Sequence, residues 1–170
     1  LLALSSFGKI SIAETGSTFE ENSVIKARFA CKHTGLSSIA DDSGLEVDYL
    51  SGRPGVFSAR YSDSGLAKDN NQKLLHELSG VPFEHRTARF RCAMAFVREY
   101  NEQDPIICSA SWEGAILEKP RGSNGFGYDP LFFVNAEDCS AAELQAEKKN
   151  SISHRAQACN EMVKRLTEIS

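Results

Sequence analysis

The sequence predicts an α/β protein, and three observations carry that class. Residues 88 to 98 read as a strand with Phe90, Cys92, Met94 and Phe96 on one face and Ala93, Ala95 and Val97 on the other. A strand apolar on both faces belongs in the middle of a covered sheet. Stretches with helical spacing and capping residues alternate with strands of this kind. Finally, 170 residues, 41% hydrophobic and 25% charged, suit one domain, with room for two lobes and a real core.

In chain order, Leu1 to Phe7 reads as the tail of a helix stopped by Gly8, and Lys9 to Ala13 as a short alternating strand. Thr18 and Glu21 have the spacing of a capping box and open a helix to about His33, which Gly35 ends. Asn22 and Lys26, four residues apart, share one face of it. Glu14 lies just ahead, so these three residues line a polar cleft or simply a solvated helix face. Asp69 caps a further helix through about Leu78, with Leu74, Leu75 and Leu78 at helical spacing. Ile106 through Trp112 pairs as a hairpin partner of the 88–98 strand, and the run to Leu117 continues the sheet. Leu131 to Val134 is a short strand. Ser140 and Glu143 cap a short helix, and Ser153 caps the last one, with Met162, Val163, Leu166 and Ile169 on its buried side.

The formal charge of -4 argues against broad nucleic-acid affinity but leaves room for a local basic anion site. No apolar run approaches the roughly 20 residues of a membrane span. The five cysteines, odd in number and without a Cys-x-x-Cys pair, read as buried free thiols of a reducing compartment.

The chemistry centres on Ile39-Ala40-Asp41-Asp42-Ser43-Gly44-Leu45. A short strand stops at two carboxylates, turns at Ser-Gly and resumes as a strand. Neighbouring strand residues face opposite ways, so Asp41 and Asp42 do different jobs. Carboxylates where a strand meets a loop suit Mg²⁺ held against phosphate oxygens, and the same residues also fit an Asx turn. The second stretch is Arg121 to Pro130. Three glycines let backbone approach a ligand, while Phe126 and Tyr128 offer flat surfaces on which a base can stack. A glycine-rich hairpin with aromatic plugs fits equally. Third, His154 and Arg155 fall in the first turn of the last helix, where the positive end of the dipole favours an electron-rich oxygen. Arg60 is a candidate anion contact or ion-pair partner. Lys148-Lys149-Asn150 forms a basic patch.

Four stretches occur in order: Glu14 to Asn22 with Lys26, Ala40 to Leu45, Gly125 to Pro130, and Ser153 to Ala156. With Pro54-Gly55 and Ser58-Ala59-Arg60 they closely resemble the inosine/xanthosine triphosphate pyrophosphatase family of bacteria. The resemblance implies an elongated α/β fold, a central mixed sheet flanked by helices with two lobes around a nucleotide cleft. It implies a cytoplasmic homodimer, Mg²⁺, and hydrolysis of ITP, dITP or XTP to the monophosphate and pyrophosphate. Carried over by position, Asp42 is the catalytic base and a metal ligand, with Glu14 a second ligand. Ser43, Phe126, Gly127, Tyr128, Asp129, Lys149, His154 and Arg155 are substrate contacts. Neither nucleic acid nor membrane is an expected partner. Residues 1–170 are expected to form a single pyrophosphatase domain, lacking the strand and Thr-Gly-Asn-x-x-Lys loop with which family members begin. The alternatives are a same-fold pyrophosphatase for other modified nucleotides and a nucleotide-binding protein without turnover.

Overall fold

The computed structural model describes residues 1–8 and 11–168. The chain forms two compact units and crosses between them at 42/43, 91/92, 109/110 and 157/158. A five-stranded sheet runs in sequence order, β1 Ser38–Val47, β2 Thr87–Val97, β3 Ile106–Ile116, β4 Phe132–Val134 and β5 Cys139–Ser140. β3 pairs antiparallel with β4, and β4 with β5. Among the described residues four α-helices accompany it: α1 Phe19–Thr34, α2 Ala67–Glu77, α3 Ala146–Ile152 and α4 His154–Glu168. The α/β class therefore holds.

In the first unit, α1 begins where the capping pair predicts. Thr18 Oγ1 accepts the Glu21 N–H at 3.1 Å. Glu21 reaches one residue further back than a capping box requires, to the Ser17 N–H. Gly35 closes the helix in the left-handed conformation. A small core of Ala27, Cys31, Ala95 and Val97 follows, with Val24, Ala40 and Ile107 against it. The opening helix tail shrinks to one 3-10 turn, Leu4–Phe7. Of the expected strand at 9–13, Lys9 and Ile10 lie outside the described residues, and Ser11 to Ala13 adopt no regular structure.

The second unit holds the larger core. Leu45, Val47, Leu74, Leu78, Ile116, Leu131 and Phe132 are fully buried there. β2 shows how one strand serves both cores. Ala88, Phe90 and Cys92 are buried on even positions, then Ala93, Ala95 and Val97 on odd ones. The switch falls one residue from the point where the strand changes units. The two-faced apolar pattern thus records two half-strands that each bury one face.

Four expectations are corrected. β1 does not stop at the aspartates but runs through Ser43-Gly44, which stay extended because the Leu45 N–H is taken by Ser58 Oγ at 2.8 Å. Asp69 does not cap α2. The helix starts at Ala67, and Asp69 instead accepts from the Ser64 hydroxyl inside the first turn. Glu143 does accept the Ser140 N–H at 2.7 Å, yet the pair closes a turn after β5, and helix resumes only at Ala146. On α4, Met162 is buried while Val163 is exposed, and Ile169 lies outside the described residues. All five cysteines are free thiols. Cys31, Cys92 and Cys108 are buried, whereas Cys159 is exposed.

Gly114 on β3 marks the tightest backbone approach in the second unit. A Cβ there would collide with the Phe133 carbonyl oxygen and sit 2.7 Å from the Phe132 ring. Gly114→Ala is therefore expected to cost at least about 2 kcal/mol of stability through overpacking of the β3–β4 pair. Urea unfolding measures this, and an unchanged midpoint would refute the packing described.

Candidate active site

In the first unit the chemistry gathers on Asp42. A carboxylate taken from water needs its oxygens paired, and this one has both paired from α1. Lys26 Nζ donates to Oδ1 at 2.6 Å, and Asn22 Nδ2 donates to Oδ2 at 3.1 Å. The i, i+4 spacing puts both donors on one helix face, so the sequence expectation for that face is met by a third partner from β1. Asn22 is fully buried, and its own Oδ1 accepts the Gly16 N–H at 2.8 Å. Lys26 also donates to Glu14 Oε1 at 3.1 Å, so two carboxylates converge on one ammonium. Burial alone would lower the pKa of Lys26. The hydrogen bond and charge of Asp42, followed by those of Glu14, outweigh that and hold it above the ordinary lysine value. Asp41 faces away from this cluster, its carboxylate lying 4.0 Å from Cys92 Sγ.

The two carboxylates are hard oxygen donors. Among the described residues no group of three or more His, Cys, Asp or Glu comes together as a metal cage. A donor set of two suits an ion that takes its remaining oxygens from water and phosphate, the habit of Mg²⁺.

In the second unit a cavity of about 310 Å³ is lined by Ser43, Ser58, Asn70, Phe90, the Phe126–Asp129 segment, His154 and Arg155. That volume lies at the small end of ligand pockets. Seven of the eight predicted substrate contacts line it; Lys149 does not. The aromatic pair splits its work. Tyr128 is buried and donates its hydroxyl to the Ser58 carbonyl at 2.8 Å. Burial, with Tyr61 nearby, pushes its pKa up, so it remains a donor. Phe126 is 64% exposed. Lys149 Nζ lies 4.8 Å and Arg155 Cζ 5.3 Å from its ring centroid, within cation–π reach.

Asp129 is the internal clasp of the loop. Its buried Oδ2 accepts the Phe126 N–H at 2.6 Å and the ammonium of Lys149. Gly125 and Gly127 both have left-handed φ values, +76° and +60°, and a Cβ on Gly125 would collide with the Asp129 carboxylate. The glycines of this stretch therefore answer to loop geometry, and the aspartate and lysine hold each other. His154 is buried face to face with Phe90, ring centroids 4.9 Å apart and planes 15° apart, with Trp112 beyond at 6.4 Å. Ser153 Oγ accepts the Ala156 N–H and so starts α4 where the sequence places it. Arg60 lies outside the lining; its guanidinium stacks 5.2 Å from the Phe57 ring centroid.

Sequence reasoning missed Asn70 and Phe90. Asn70 Oδ1 accepts from the Ser62 N–H and hydroxyl, both at 2.7 Å, and Nδ2 donates to the Ser58 and Ala59 carbonyls. The available signal was Asn70-Asn71 itself, two poor helix formers side by side within a helix.

A profile of the Ham1 family matches residues 2–165. The chain is 49% identical over 169 residues to a dITP/XTP pyrophosphatase of Vibrio vulnificus (strain YJ016), covering 99% of this chain and 84% of that one. It is 50% identical over 159 residues to a dITP/XTP pyrophosphatase of Escherichia coli O157:H7, covering 93% and 81%. The solved structure of a HAM1 protein from Coxiella burnetii superposes with a TM-score of 0.91 at 46% identity, covering 97% of this chain and 84% of that chain.

The raised pKa of Lys26 fixes the sign of a pH effect. Its pairing contributes fully below the unfolded lysine value of 10.5 and is lost as pH rises through the higher folded value. Urea midpoints of the wild type are expected to fall more steeply above about pH 10 than those of Lys26→Met, which starts lower because Asp42 has lost a partner. Parallel alkaline profiles for the two proteins would overturn this account.

Proposed function

The chain belongs to the Ham1 family, and from that premise we propose that it hydrolyses the noncanonical purine nucleoside triphosphates ITP, dITP and XTP to the monophosphate and pyrophosphate. The observation that carries this reading is the second-unit cavity, with its exposed Phe126 surface and the His154-Arg155 turn of α4 in its lining. Inosine and xanthosine carry an oxygen at position 6, where adenine carries an amino group. The guanidinium of Arg155 offers donors only, and the start of α4 is the positive end of its dipole. Both favour the oxygen and leave adenine mismatched. Sites built around such a bond discriminate strongly, because the wrong base leaves buried groups unpaired.

Cleavage between the α and β phosphates needs charge neutralisation and an aligned water. In this reading Asp42 takes the proton of the attacking water. Each of its oxygens already accepts one bond, from Lys26 or Asn22, and each keeps a lone pair for that proton. The two α1 donors fix the carboxylate's orientation, and Lys26 adds positive charge. Asp42 and Glu14 are the residues that would hold a divalent cation, and Mg²⁺ matches their two-carboxylate donor set. When bound, such an ion neutralises phosphate charge and acidifies its water. Asp129 and Lys149 serve the base by keeping the 125–129 loop in shape, and Ser43, Gly127 and Tyr128 complete the wall. Substrates drawn from the free nucleotide pool make the cytoplasm the place of action. No helix among the described residues is long and apolar enough to cross a membrane. Family membership further supports a homodimer in which residues 1–170 act as one pyrophosphatase domain.

Pyrophosphate release from ITP, dITP, XTP, GTP and ATP, with and without Mg²⁺, tests the assignment. Fast metal-dependent release from the first three is expected, and Asp42→Asn should lower kcat by roughly 10²- to 10⁴-fold with little change in KM. Tight ITP binding without release would instead mean a binding protein, and release from ATP at equal rates would refute the base reading. Asp129→Asn weakens two charge-assisted hydrogen bonds and should loosen IMP binding, measured calorimetrically, by roughly ten- to a hundredfold. Unchanged affinity would show that the clasp is irrelevant to the base.

A further inference from the structure

Asn70 and Asn71 are consecutive on α2, so their side chains leave the helix about 100° apart and reach different loops. Asn70 is spent on the 58–62 segment. Asn71 reaches the other wall of the cavity: its Nδ2 donates to the Gly127 carbonyl at 3.0 Å. Its Oδ1 is buried and has no hydrogen-bond partner. Exchanging the amide oxygen and nitrogen would set oxygen against the Gly127 oxygen, so the observed orientation is the one the carbonyl demands. A buried acceptor left unmet is unfavourable, and an amide inside a helix is a poor helix former. Neither local helix stability nor full hydrogen bonding accounts for this side chain. What remains is the single bond to Gly127.

Gly127 lies between Phe126 and Tyr128, at a left-handed φ of +60°. Asp129 fixes the shape of the loop from within, through the Phe126 N–H, and its own N–H donates to the Phe126 carbonyl at 3.2 Å. Those bonds set the curl of the loop and do not fix its main chain to α2. The Asn71 bond does that at the residue next to the exposed ring. We infer that Asn71 is a positioning residue that anchors the Phe126 platform to α2, and through it sets affinity for the purine. This rests on the reading of the cavity as the base site.

A platform of this kind touches the base alike in the ground and transition states, so its loss acts on KM and leaves kcat in place. Asn71→Ala removes the donor, and Asn71→Asp replaces it with a charge facing a carbonyl oxygen. Both are expected to raise KM for ITP about tenfold or more while kcat stays within twofold. IMP binding by calorimetry should weaken in step, with the urea midpoint close to wild type. Unchanged KM and IMP affinity in both variants would overturn the inference, as would a fall in kcat and stability with KM unmoved. The wild-type control separates the two levels of argument. If the wild type binds AMP as tightly as IMP, the base reading falls and the inference with it. If the wild type prefers IMP and both variants keep that affinity, the inference alone falls.

Discussion

The demand of one buried carboxylate organises the first unit. Asp42 is withdrawn from water, and a carboxylate there needs donors in place of its lost hydration. α1 meets it with two side chains one turn apart, one charged and one neutral. A pair of lysines would have brought two like charges together, and a pair of asparagines would have left the negative charge uncompensated. The neutral partner is itself fixed, because buried Asn22 is tied to the Gly16 N–H just ahead of the helix. Capping at Thr18, the helix phase and the β1 register must all be right for this one set of bonds to form. The same coupling makes Asp42 a stiff group, as the proton-transfer role proposed for it requires.

The second unit follows a different physical logic. Its cavity depends on flat surfaces and loop geometry, with charge in a supporting part. Phe126 remains exposed while Phe90, Trp112 and Phe132 are buried nearby in sequence-distant strands. His154 joins that buried stack and so belongs to the core and the cavity wall at once. Two left-handed glycines give the 125–129 loop a path closed to other residues, and the Asp129–Lys149 pair then locks it. Conformational freedom at the glycines is removed by a charge-assisted contact, leaving a rigid support for an exposed ring.

The parts legible in the sequence are those set by local rules. Helix α1 was readable from Thr18, Glu21 and Gly35, and the start of α4 from Ser153, because caps act within one turn. Asn22, Lys26 and Glu14 could be grouped by spacing, but their partner Asp42 is a tertiary contact that spacing does not encode. The aspartate strand was misread for a related reason. Ser-Gly usually turns, and here a hydroxyl thirteen residues away, on Ser58, captures the Leu45 N–H and keeps the backbone extended. Ser140 and Glu143 show the reverse: their bond forms as expected but closes a turn, since a cap alone does not propagate a helix. Asn70 and Asn71 went unread because amides on a helix look like surface, and only the structure shows which carbonyls they hold.

The two clusters sit in different compact units. Lys26 and Asn22 both donate to Asp42, and Lys26 also donates to Glu14; Asp129 holds Lys149, while Asn70, Asn71 and Tyr128 donate to carbonyls of the second unit. Under the proposed function, this division gives the base to loop and α2 residues of the second unit and the attacking water to the carboxylate of the first.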